Sequence, residues 1–402
     1  MSGATPSVWA APGMVALAAL SFLGFSGYAA LLPVAPLWVV QGGSDEAGAG
    51  LVNFVLLGAT VATQFAVPGL IRRLGWGTLL AVGLALLGVP SLLHGLTSDL
   101  APTLALSGVR GIGFGILTVA ASAAAVLLVE PARRGAAIGA YSLALAAPNV
   151  LLMPTGGWVA QVVGFWPVFV VGALPLLGIP AALALARHLP HRSTRAAGED
   201  SETQPAREMT AAGTPTAATS YLGLLPPTAI LLSVTLAGGG LITFAPQLVA
   251  VPWLSAAGLF ALGLTSTLTR WRVGALADRA GVGRLVWPFL VLIVLGLGAL
   301  AWVVRTPVGT GQAVLWVGVC ALVGVSYGAL QNLTMLQAFA AAGPRRVGAA
   351  SAVWNAGYDT GTALGSLLVG AVAVAAGFGW GMALTAVLCA LTLPLALRAG
   401  RR

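Results

Sequence analysis

Charge is nearly missing from this sequence. Only 7% of its 402 residues are charged, against about a quarter in an ordinary soluble domain. Lysine is absent, so all 19 basic residues are Arg; with 10 acidic residues the formal net charge is +9. With so few polar groups the chain cannot cover its apolar side chains in water, which excludes a soluble globular domain. A hydrophobic content of 58% and a mean hydropathy of +0.96 also exclude a disordered chain and a collagen-like fibre. The chain reads as an integral membrane protein.

Cysteine and histidine are scarce too. Cys320 and Cys389 lie inside apolar runs, so buried free thiols are expected rather than a disulfide. His94, His188 and His191 have no further ligand types near them, so no metal site and no cofactor is expected. The arginines form no patch on a soluble face, which argues against nucleic acid as a partner. No cleavable signal peptide is apparent: the first 12 residues carry no Arg, and the first apolar run is too long for a signal core.

A bilayer span needs about 20 mostly apolar residues. Runs of this kind fall at about 13–38, 48–70, 77–96, 102–129, 136–163, 166–186, 222–249, 255–273, 285–304, 313–340, 348–376 and 379–397. They are continuous rather than alternating, so helices are predicted and not membrane strands. The expected fold is an all-α membrane protein with twelve transmembrane helices.

The connections set the expected orientation. Arg72, Arg73, Arg133, Arg134, Arg187, Arg192, Arg195, Arg207, Arg270, Arg272, Arg279, Arg284, Arg345, Arg346, Arg398, Arg401 and Arg402 fall on one side. The opposite side holds Asp45, Glu46, Asp99 and a single Arg305. By the positive-inside rule both termini are cytoplasmic and the protein is multi-pass in a cell membrane. Trp38, Trp166, Trp253, Trp302 and Trp380 at one set of ends, and Trp76, Trp271 and Trp287 at the other, read as aromatic belts.

Residues 188–220 are the one long polar stretch and read as a linker. It divides the chain into halves of six spans, 1–187 and 221–402. The halves resemble each other. Gly135-Ala136-Ala137 and Gly164-Phe165 match Gly348-Ala349-Ala350 and Gly377-Phe378 at one offset, 213; Arg73-x-Gly75 matches Arg279-x-Gly281 at another, 206. A duplicated six-helix unit is the signature of secondary transporters, with the site between the halves near the membrane midplane.

Several intramembrane polar residues are candidate cavity lining. They are Tyr28, Asn53, Thr60, Gln64, Asn149, Gln247, Tyr327, Gln331 and Asn332, each equally suited to an interhelical hydrogen bond. In span eleven Gly357, Gly361 and Gly365 recur every four residues, a stripe for close helix contact. Asn355 and Asp359 share another face, beside Trp354 and Tyr358. Asp359 is the one carboxylate deep in a predicted span, and Arg110 the one Arg well inside one. Burial and a nearby guanidinium act in opposite senses on such a carboxyl, so Asp359 is a candidate proton carrier. The alternatives are an Asp paired permanently with Arg110, and an Arg110 that snorkels to the surface. Gly238-Gly239-Gly240 reads as a flexible or broken segment of span seven; no Lys-Ser or Lys-Thr follows it to make a phosphate loop.

Three motifs resemble those of the major facilitator superfamily in its twelve-span, efflux-like form. Gly274-Ala275-Leu276-Ala277-Asp278-Arg279-Ala280-Gly281 is similar to that family's Gly-x-Leu-Ala-Asp-Arg-x-Gly loop. The resemblance implies a cytoplasmic gate of Gly274, Asp278, Arg279 and Gly281, with Arg73 from the first half. That first-half copy departs from the pattern: Arg72 stands where the family usually has Asp, and Pro68 where it has Gly. Arg110-Gly111-Ile112-Gly113-Phe114-Gly115 resembles the family's Arg-x-x-x-Gly-x-Gly element, which implies a part for Arg110 in proton coupling. Pro148, Pro154, Gly156 and Gly157 stand where antiporters carry a Gly/Pro-rich element, without its spacing. Asn355-x-x-Tyr358-Asp359-x-Gly361 resembles a pattern in some bacterial exporters.

These readings converge on proton-coupled efflux of small neutral, zwitterionic or amphiphilic molecules by a monomer using alternating access. Few buried charges are available to balance an ionic substrate. Proton-coupled uptake and a non-transporting sensor are the alternatives. A membrane enzyme is disfavoured, because no catalytic constellation stands out. The expected partners are a small-molecule substrate, protons and the lipid bilayer.

Overall fold

A computed structural model describes residues 7–130, 133–189, 223–306, 309–343 and 346–400. Among them there are helices and no strand. The first half holds α1 (Met14–Leu31), α2 (Val34–Gln41), α3 (Glu46–Leu74), α4 (Trp76–Leu93), α5 (Leu100–Leu127), α6 (Arg134–Val162), α7 (Phe165–Gly172) and α8 (Ile179–Ala186). The second holds α9 (Leu225–Leu248), α10 (Pro252–Ala280), α11 (Val282–Val303), α12 (Thr310–Ala342), α13 (Val347–Ala376), α14 (Phe378–Leu391) and α15 (Leu393–Gly400). The expected linker lies outside the described residues except for His188 and Leu189.

Among the described residues eleven helical segments are long and apolar enough to cross a membrane. The eighth apolar run is not among them, although α10 spans 29 residues, Pro252–Ala280. Its second part, Thr265-Ser266-Thr267 through Arg270 and Arg272, is too polar.

Local chemistry explains where helices end. Asp45 caps α3, its carboxylate accepting from the Gly48 amide at 2.8 Å. Gly75 and Gly281 close α3 and α10 at φ +80° and +84°, a region open to glycine and strained for other residues. Gly164 and Gly377 do the same for α6 and α13 at φ +125° and +87°. Both pairs are the duplicated positions of the sequence, so the repeat extends to backbone conformation.

Helix packing repeats as well. In the first half α3 packs on α5, α1 on α6 and α4 on α5; in the second, α10 packs on α12, α9 on α13 and α11 on α12. Between the halves α13 lies along α3, and α10 along α6. Exchanging the halves maps each contact onto another, so the two bundles are pseudo-symmetric. Central helix α9 is the most enclosed, with 83% of its most apolar stretch buried, against 22% for α3.

Small residues let the backbones approach. A Cβ on Gly361 or Gly365 would collide with the Leu232 or Leu236 carbonyl of α9, and one on Gly239 with Thr362 of α13. The triple-glycine run is therefore not a break: α9 is continuous through it and all three glycines are buried. Glycine there serves contact between helices rather than flexibility.

Candidate functional site

The two halves meet along one end of the bundle, the end carrying Asp45, Glu46, Asp99 and Arg305. There Gly50 of α3 abuts the Ser366 carbonyl of α13, and Gly370 abuts the Glu46 carbonyl. Asn53 is buried and donates to the Leu32 carbonyl at 2.8 Å and to Thr243 Oγ1 of α9 at 2.9 Å, a bond between the halves. On the other flank Gly157 of α6 meets Pro246 of α9, and Gly263 of α10 meets Val150 of α6.

At mid-height stands Asp359, 8% exposed. Its Oδ2 accepts from Gln64 Nε2 at 2.8 Å, which ties α13 to α3 across the halves. One turn toward the arginine-rich end on the same face, Asn355 is exposed and bonds back to Ser351 of its own helix.

An aromatic wall surrounds this pair. Tyr327 of α12 donates to the Tyr358 hydroxyl at 3.1 Å, and Tyr358 stacks on Trp354 with ring centroids 5.6 Å apart. Trp354 Nε1 donates to Thr334 Oγ1. From the first half, Tyr28 stacks flat on Phe114 at 3.8 Å and lies near Asp359, Tyr358 and Arg110.

Arg110 is fully buried on α5, so it does not snorkel. Nor is it hydrogen-bonded to Asp359: its Nη2 donates to the Gly27 carbonyl of α1 at 3.2 Å. Its Nε and Nη1 have no partner among the described residues. Neither have Thr103 Oγ1 and Ser107 Oγ, on the same face of α5, nor His94 Nε2. Sequence reading missed Thr103 and Ser107; their spacing with Arg110, four and then three residues, was the available signal.

The structure thus brings Tyr28, Gln64, Tyr327, Trp354, Tyr358 and Asp359 together. Gln331 joins them through Arg270 of α10, whose Nη1 donates to Gln331 Oε1 at 3.1 Å while the guanidinium lies 5.9 Å from the Trp354 ring centroid. Asn332 Nδ2 donates to the Arg270 carbonyl at 2.7 Å. Sequence reading placed Arg270 at a connection; α10 runs on to Ala280 and carries it into the bundle. Asn149 bonds within α6 to Leu145, and Gln247 is half-buried near the end of α9.

The proposed gate is mostly not a loop. Gly274, Asp278 and Arg279 occupy the last turns of α10, and Gly281 alone makes the turn. Asp278, Arg279 and Arg73 are exposed. Both cysteines are free and buried. Trp38 departs from the belt reading, since its Nε1 donates to the His94 and Thr97 carbonyls at 2.9 and 2.8 Å. Arg305, alone among arginines at its end, lies over Trp380 at 4.3 Å.

The sequence profile of the Major Facilitator Superfamily matches residues 17–359. The chain belongs to that superfamily. An uncharacterized MFS-type transporter of Pseudomonas aeruginosa (strain LESB58) is 36% identical over 157 residues, 37% of this chain and 38% of that protein. Another, of Burkholderia mallei (strain SAVP1), is 37% identical over 99 residues, 24% of each chain. The matches thus span well under half the length of these curated relatives. Among solved structures, a bacterial homolog of the human lysosomal transporter Spinster, inward-facing and unoccupied, aligns at TM-score 0.74. It shares 18% identity, covering 99% of this chain and 98% of that one. The nucleoside transporter NupG, in a mutant form, aligns at TM-score 0.72 and 13% identity over 96% and 99%. These likenesses concern the fold. The chain is a multi-pass membrane protein of that superfamily.

Proposed function

We propose that this member of the superfamily is a proton-coupled exporter of small neutral, zwitterionic or amphiphilic molecules. Its two halves, 1–187 and 221–402 joined by the linker 188–220, rock about a central site to give alternating access. The observation that carries the reading is the half-buried Gln64–Asp359 bond between the halves. A carboxylate there accepts a charge-assisted hydrogen bond, about twice as strong as a neutral one. Protonating Asp359 removes the charge and weakens the tie between α3 and α13. Proton uptake and movement of the halves are thereby one event. Arg110, buried on α5 with two nitrogens unpartnered among the described residues, is proposed to take part in the coupling.

Tyr28, Gln64, Tyr327, Gln331, Trp354, Asn355 and Tyr358 line the substrate path, with Asn53, Asn149 and Gln247 further along it. Gly274, Asp278, Arg279, Gly281 and Arg73 form the gate at the arginine-rich end. That end faces the cytoplasm, as the arginine bias indicates, and the protein works as a monomer in the cell membrane.

The test uses proteoliposomes with an imposed pH gradient and an internal pH dye. The panel holds amphiphilic drugs, sugars and metal-chelating metabolites. Substrate-dependent collapse of the gradient, lost in Asp359→Asn, is the expected result. The sign of the pH change separates export by antiport from uptake by symport. Flux that proceeds unchanged in Asp359→Asn overturns the reading.

A further inference from the structure

Arg270 lies on α10 seven residues past Gly263, so the two are about two turns apart on one face. Gly263 is where α10 meets α6 of the other half, against Val150. Arg270 therefore lies on the face of α10 that meets α6, about 10 Å beyond that contact. It remains exposed while lying 5.9 Å from the Trp354 ring centroid, near Tyr327 and Tyr358. Its hydrogen-bonding side-chain partner is the neutral Gln331. No carboxylate pairs with it among the described residues.

The internal repeat sharpens this. The offset that carries Gly75 to Gly281 also carries Gln64 to Arg270, and the offset that carries Gly164 to Gly377 carries Ala146 to Asp359. In one interface Gln64 meets Asp359. In the symmetry-related interface the matching positions are Arg270 and Ala146. The cation stands where its twin has a carboxylate to bond, and its own interface offers a methyl group instead. A guanidinium taken partly from water with no anion beside it is costly. A ligand anion offsets that cost, in a two-pronged geometry that guanidinium favours.

We propose that Arg270 anchors the substrate, and that the substrate is a small organic anion whose carboxylate, sulfonate or phosphate sits on Arg270 while a flat apolar body stacks along Trp354 and Tyr358. This rests on the transport reading above and narrows its amphiphilic class to anionic amphiphiles.

The test measures equilibrium binding to the full-length protein in detergent. The probes are 1-naphthoate and 1-naphthalenesulfonate, with neutral 1-naphthamide as the match. The anions are expected to bind better than the amide. Arg270→Gln should lower their affinity about tenfold or more and abolish the preference. Arg270→Lys, which keeps the charge, should restore most of it; a merely structural Arg would show no such preference to restore. Equal binding of naphthoate and naphthamide to the wild type, absence of binding by both anions, or an unchanged preference in Arg270→Gln each overturns the proposal. Displacement of the anions by dispersed anionic phospholipid, in Arg270→Gln as much as in the wild type, overturns it too. Asp359→Asn keeps the two readings apart. An Arg270-dependent anion preference in a protein whose flux ignores the pH gradient defeats proton coupling and leaves this inference standing.

Discussion

Asp359 accepts one cross-half hydrogen bond, and Gln64 is its donor. Replacing the donor without touching the acid isolates the tie. Gln64→Leu should slow gradient-driven flux about tenfold while the protein stays monodisperse, because the carboxylate loses a charge-assisted bond of roughly 1.5–3 kcal/mol. Proteoliposome flux read beside size-exclusion chromatography checks this. Arg110 gives the opposite pattern. It is buried with two nitrogens unpartnered, so it costs the fold stability. Arg110→Met, similar in length and apolar, should unfold no earlier than the wild type on heating in detergent, yet lose proton-coupled flux. A clear drop in melting temperature would instead make Arg110 a structural residue.

At the scale of elements, α13 serves two neighbours. One face, Gly357, Gly361 and Gly365, lets it close on α9; another carries Asp359 to Gln64 of α3. The glycine face fixes how α13 is rotated, and so which way Asp359 points. Gly365→Val would drive its side chain into the Leu236 carbonyl. Overpacking of this kind costs about 1–3 kcal/mol. Thermal unfolding should show the loss, while Gly298→Ala on α11, with open space around it, should be neutral or mildly stabilising. Both faces are visible in the sequence as four-residue spacings. What the spacing lacks is the identity of the partner, since any helix with a smooth backbone satisfies a glycine stripe.

The whole molecule closes at its acidic end and carries Arg270 and Asn355, both exposed, toward the other. The proposed alternating access requires that closure to open. The Asn53–Thr243 bond crosses it, joining α3 to α9. Cysteines placed there, Asn53→Cys with Thr243→Cys, should be joined by a short bismaleimide. The cross-linked protein should then bind ligand and fail to transport. Transport that survives full cross-linking would mean that this end does not move.

The sequence by itself determined that the chain is helical and where its apolar runs lie. A run of about 20 apolar residues must satisfy its own backbone in a bilayer, and that requirement is local. The duplicated glycines, Gly75 with Gly281 and Gly164 with Gly377, were legible for the same reason: positive φ is a property of one residue. Asp359 stood out because a carboxylate is rare at that depth. Only the tertiary structure decided that Gln64 meets Asp359, that Arg110 meets Gly27 rather than Asp359, and that Arg270 bonds to Gln331 beside Trp354 instead of lying at a connection. These outcomes depend on the rotation and offset of one helix against another. They are set by close-packed contacts between residues far apart in the chain, which no local spacing encodes.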